Sequence, residues 1–101
     1  MNIDWALAAA EDLSDGIDYY DRQQECLGER FYQAVLSTID KIVRHPRAWF
    51  PLGGESRRCL VSGFPYGVYY RTGPGLITVL AVLDLRRSPE AWQERLRELG
   101  I

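Results

Sequence analysis

The stretch "FPYGVYYRTGPGLITVLAVLDLRRSP", residues 64–89, decides the fold. "YGVYYR" (66–71) is dense in the aromatic and β-branched residues that suit a pleated surface. "TGPG" (72–75) supplies the glycine and proline chemistry of a tight turn. "LITVLAVLDL" (76–85) is apolar at both parities, which predicts a central strand buried on both faces. The apolar run then stops at Arg86 and Arg87. Ser88 suits an N-cap and Pro89 a first helical position, so "EAWQERLRELG" (90–100) reads as a short amphipathic helix with Trp92, Leu96 and Leu99 on its apolar side.

Upstream, "RRCLVSGF" (57–64) alternates, with Arg58, Leu60 and Ser62 on one side and Cys59 and Val61 on the other, as a strand does. "PRAWFPLGGES" (46–56) reads as a loop whose Trp49 and Phe50 plug the edge of the core. Residues 6–24 carry a helical stripe of Leu7, Ala10, Leu13, Ile17 and Tyr20, with Glu11, Asp12, Asp15, Asp18 and Asp21 turned to water. Gly16 weakens that helix by about 1 kcal/mol relative to Ala and marks a candidate kink. Gly28 reads as a left-handed helix end. A second helix over 28–45 presents Phe31, Val35, Ile39 and Ile42, broadened by Tyr32, Leu36 and Val43. Lys41, Arg44 and His45 suit the negative end of its dipole, and Pro46 stops it. "MNIDW" (1–5) forms a first strand. The order β-α-α-β-β-β-α predicts an α+β fold, with a helical hairpin packed on a mostly antiparallel four-stranded sheet. Residues 1–101 are read as a single domain, since that length supports one core.

Composition excludes several classes. The longest apolar run, "LITVLAVL", is too short to cross a bilayer, and no signal peptide is evident, so no membrane role and a cytoplasmic location are expected. Cys26 and Cys59 lack metal spacing and read as reduced thiols; no metal or cofactor is expected. Residues 1–56 hold five Lys/Arg against ten Asp/Glu, a balance of −5, whereas residues 57–101 hold seven Arg against four acids, a balance of +3. One face of the second half is therefore suited to an anion, while a pI near 5.3 excludes a protein that coats nucleic acid non-specifically.

Several motifs carry a resemblance. They are Ala10–Asp12–Leu13, "YYDRQ" (19–23), "LGERF" (27–31), "HP" (45–46), "RRCLV" (57–61), "FPYGVYYR" (64–71) and "VLDLRRSPEAW" (82–92). Together they resemble the RelE/ParE superfamily of type II toxins, often called plasmid stabilisation proteins. The resemblance implies a toxin neutralised by a cognate antitoxin from a neighbouring gene, as a homodimer or a heterotetramer with it. RelE-like members cut messenger RNA on the ribosome; ParE-like members poison DNA gyrase. Relatives commonly have histidine where this chain has Asp84, RelE-like nucleases carry lysines along the sheet, and the single lysine here is Lys41 on the second helix. The resemblance is therefore closer to the ParE-like branch, with a non-toxic antitoxin-binding homologue as a further alternative.

Arg58, Arg71, Asp84, Arg86, Arg87 and Trp92 are the residues expected to bind target or antitoxin. The arginines suit phosphate or carboxylate because the guanidinium fork is planar and stays charged. A guanidinium cluster on the open face of the sheet and edge protection with an Asp84–Arg salt bridge are both consistent with the pattern. RNA cleavage also needs an acid and a base. Asp84 beside two arginines should have a lowered pKa, Tyr66, Tyr69 and Tyr70 read as packing residues, His45 as a dipole partner, and Trp92 transfers no proton. Catalytic residues are therefore left unassigned.

Overall fold

The computed structural model describes residues 2–100. Along the chain come β1 (Asn2–Trp5), α1 (Leu7–Gln23), α2 (Leu27–Arg44), β2 (Phe50–Gly53), β3 (Ser56–Leu60), β4 (Tyr66–Gly73), β5 (Leu76–Asp84) and α3 (Pro89–Glu98). The α+β class and the helical hairpin agree with the sequence reading; Met1, included in the expected first strand, lies outside the described residues. The strands form one sheet in the order β1-β5-β4-β3-β2, in which β1 runs parallel to β5 and every other pairing is antiparallel.

The sheet has five strands, not the expected four. The added one is β2, within the stretch expected to be a loop. Phe50 lies opposite Arg58 and Pro51 opposite Arg57. Pro51 is tolerated because β2 is an edge, where a missing N–H breaks no inner ladder. The Gly53-Gly54 pair, at φ +117° and +55°, turns this β2–β3 hairpin, so the loop signals belonged to its turn.

β5 is apolar at both parities for two reasons. One step on β4, Tyr69 to Tyr70, is matched by two on β5, Ala81 to Val79, so Leu80 is a bulge residue. The bulge switches parity, and Ile77 and Val79 share a face with Val82 rather than with Ala81. That face joins Tyr66, Val68, Tyr70 and Cys59 to Ala9, Tyr20, Phe31, Val35, Ile39 and Ile42 of the hairpin in the main core. The opposite face carries Tyr69, Ala81 and Leu83, covered by Leu52, Leu85 and the α3 side chains Trp92, Leu96 and Leu99.

The helices approach closely. Gly16 is buried under Phe31, and a Cβ there would stand 2.5 Å from the Phe31 ring. It serves as a contact point within one continuous helix rather than a kink. The α1 stripe holds at Leu13, Ile17 and Tyr20 but shifts in the first turns, where Ala9 is buried, Ala10 is exposed and Leu7 is 76% exposed. Gly28 is not the left-handed helix end. Cys26 takes that conformation at φ 65°, and Gly28 lies in the first turn of α2. Its N–H donates to Asp21 Oδ1 at 2.9 Å, and a Cβ there would fall 2.5 Å from the Ile17 carbonyl oxygen.

Gly28→Ala tests that contact. Helix propensity alone favours Ala by about 1 kcal/mol, but the clash is with backbone and forces the helices apart. A net loss of about 2 kcal/mol is expected in urea unfolding, and a gain in stability would refute the close approach.

Candidate functional site

β1 pairs with β5 only as far as Trp5 opposite Val79. The remainder of β5 has no β1 neighbour, and an α1 carboxylate takes the vacant place. Val82 N–H donates to Asp12 Oδ2 at 3.0 Å. Arg95 of α3 grips the same carboxylate with both prongs, Nη1 to Oδ1 at 2.7 Å and Nη2 to Oδ2 at 2.8 Å. Such charge-assisted, bidentate bonds are the strong ones. Asp12 hydrogen bonding, with its charge, raises the Arg95 pKa further, despite partial burial. Asp12 therefore ties α1, the β5 edge and α3 together.

Beside this junction α1 and α3 flank a cleft of about 360 Å³ over the end of β5, walled by Asp15, Tyr19, Tyr66, Asp84, Arg87 and Trp92 among others. Asp84 is committed to Arg86: Nε and Nη2 donate to its two oxygens at 3.0 Å, and the Arg86 backbone N–H adds a third bond at 3.0 Å. The Arg86 guanidinium also lies over the Tyr19 ring at 5.4 Å and near Tyr20 at 6.0 Å. Burial alone would raise the Asp84 pKa, but the Arg86 hydrogen bonds and the charges of Arg86 and Arg87 outweigh it and hold the carboxyl below its usual range. Burial, with the Asp84 charge, pushes the Tyr66 phenol up to about 12. At neutral pH Asp84 is therefore an ionised carboxylate already paired, and Tyr66 a phenol that keeps its proton.

The structure gathers Asp84, Arg87 and Trp92 around this cleft, with Arg86 turned toward the α1 tyrosines. Arg87 joins no side-chain ion pair among the described residues. Arg58 and Arg71 sit on the sheet face that carries Tyr69. Arg58 lies over the Phe50 ring at 4.9 Å, and Arg71 Nη2 donates to the Leu99 carbonyl at 3.2 Å, next to the C-terminus of α3. The four arginines thus do not form one guanidinium cluster on an open face: α3 covers part of that face, and each has its own surroundings. Sequence reasoning missed Asp12 and Arg95. Asp12 is one acid among five on α1, and Arg95 one charge in an acid-and-arginine helix; no spacing rule links positions 83 residues apart.

The chain belongs to a known family. The model of the ParE toxin of type II toxin-antitoxin system, parDE, matches residues 3–89, which makes this a ParE-type toxin of the type II class. No curated protein sequence matches it. Among solved structures, a chain from the chromosomal ParDE TA system from P. aeruginosa is similar in fold, with TM-score 0.74 and 19% identity over 84% of this chain and 96% of that one. The family match ends as α3 begins. Among the described residues, no helix is long and apolar enough to cross a membrane.

Two substitutions separate the roles of the junction. Asp12→Ala leaves the Val82 N–H and Arg95 both without partners, and a loss of about 2–3 kcal/mol is expected. Arg95→Ala leaves the carboxylate on Val82 and is expected to cost about 1 kcal/mol. Equal urea midpoints for the two variants would show that the Val82 bond contributes nothing. Asp84 gives a pH signature. Its pKa is lowered on folding, so its stabilisation is present above the unfolded carboxylate value of about 4 and is lost as pH falls through the lower folded value. Asp84→Asn should therefore shrink the difference in urea stability between neutral and acidic buffer; an unchanged difference would remove Asp84 as a source.

Proposed function

We propose that this toxin acts by binding, that its target is DNA gyrase in the cytoplasm, and that an antitoxin from a neighbouring gene neutralises it. Family membership supports the toxin class, and the P. aeruginosa chain of similar fold comes from a ParDE system. The observation that carries the binding mechanism is the state of Asp84 and Tyr66 in the cleft. Asp84 is held ionised by Arg86, and Tyr66 is held protonated with a pKa of about 12. Proton transfer at neutral pH favours groups that titrate near the working pH. A binding poison needs only a complementary surface, and Arg87 and Trp92 beside the cleft offer a charge and an aromatic side chain to one.

The test places the purified chain with gyrase and supercoiled DNA, and separately with programmed ribosomes. Inhibited supercoiling or gyrase-dependent DNA breaks, weakened at least about tenfold by Arg87→Glu, is the expected result. Messenger cleavage on the ribosome would replace this reading with the nuclease, and inactivity in both assays with a homologue that only binds an antitoxin.

A further inference from the structure

α3 covers only part of the second sheet face. Its side chains lie against Tyr69, Ala81 and Leu83 of β4 and β5. Toward β2 and β3 the same face keeps two large apolar side chains in water, Phe50 at 59% and Leu60 at 57% exposure. They flank Arg58: Phe50 lies directly opposite it in the β2–β3 register, and Leu60 follows two residues later on the same face.

Arg58 is built into this patch rather than waving above it. Its stem lies flat across Gly67, where an added Cβ would come within 3.2 Å of Cγ and Cδ. Its guanidinium rests on Phe50 at 4.9 Å. Its Nε is buried with no hydrogen-bond partner, as is the hydroxyl of Tyr69, its cross-strand neighbour. Arg58 enters no ion pair among the described residues. The guanidinium has no carboxylate of its own, and its planar fork suits one supplied from outside with two-pronged geometry.

We infer that this patch docks an acidic segment of the antitoxin, with a carboxylate on Arg58 and apolar side chains on Phe50 and Leu60. The inference rests on the proposal that an antitoxin exists and names where it binds. An arginine between exposed apolar side chains has the composition of a binding hot spot. The segment crosses the face rather than extending the sheet, because Pro51 interrupts the donors of the β2 edge. Nucleic acid fits less well, since a phosphate backbone asks for several cations. Here Arg71 is drawn to Leu99, and Arg57 lies on the opposite sheet face with its cross-strand neighbour Tyr70.

The experiment measures binding of the purified antitoxin to the full chain, with amide exchange of the complex. Arg58→Glu is expected to weaken binding by about 100-fold, and Phe50→Ser with Leu60→Ser by about tenfold, while the circular dichroism melts stay cooperative. Amides of residues 50–60 should gain protection in the complex. A Glu→Lys or Asp→Lys change in the antitoxin should restore binding to Arg58→Glu, which a merely structural arginine would not permit. Wild-type affinity in a folded Arg58→Glu chain, or no added protection over 50–60, overturns this inference and leaves the toxin–antitoxin reading standing. An antitoxin that fails to bind even the wild-type chain overturns both. Self-association of the wild-type chain, abolished by the serine pair, would assign the patch to a second copy and overturn it as well.

Discussion

A sheet strand whose neighbour ends early must still satisfy its backbone, and the Asp12 carboxylate answers that constraint here. β1 follows β5 only to Val79, and the chain then turns into α1. The Val82 N–H beyond that point donates to Asp12 instead of to a strand. Once fixed there, the carboxylate is a preorganised acceptor for Arg95, and Arg95 brings α3 down beside the sheet. The placement of the third helix thus depends on a backbone need at the edge of β5. Without that pair α3 would be held chiefly by Trp92, Leu96, Leu99 and the Arg71 bond to the Leu99 carbonyl, since none of its residues is fully buried.

The bulge at Leu80 divides the labour between the two faces. Before it, β5 sends Ile77 and Val79 into the hairpin core; after it, Val82 keeps to that side while Ala81 and Leu83 line the other. Bulges sharpen local twist. Here the bulge comes just after the pairing with β1 ends, and the cleft opens beside it.

Much of the fold was legible because it rests on periodicity. The stripe Phe31, Val35, Ile39 and Ile42 is buried as its spacing demands, and the apolar β5 is an inner strand covered on both faces as its composition demands. What was not legible depends on contacts distant in sequence. Gly16 and Gly28 look like helix weaknesses until their neighbours, Phe31 and the Ile17 carbonyl, are known. β2 hid behind Pro51 and the glycine pair, because the signals of an edge hairpin and of a loop are the same residues. The candidate site suffers more than the core for the same reason. Arginines announce charge in a sequence, but not whether that charge is already spent.

That distinction decides which cations remain for recognition. Arg86 is spent on Asp84, Arg95 on Asp12, Arg71 on the Leu99 carbonyl and Arg57 on the Trp49 carbonyl. Carboxylates match the first two charges; Arg71 and Arg57 keep theirs but are held in place by neutral carbonyls. Of the four arginines expected to meet a target or antitoxin, Arg87 and Arg58 have neither an acidic partner nor a side-chain hydrogen bond among the described residues, one beside the cleft and the other on the β2–β3 face. Their separation matters physically. A target that meets one charge and a partner that covers the other could occupy the chain together, so a partner confined to the Arg58 patch would have to act through bulk or through α3. One whose chain continues from Arg58 across α3 to Arg87 would block the target directly. The second arrangement uses both of these arginines in a single interface, and it blocks the target without any change in the toxin itself.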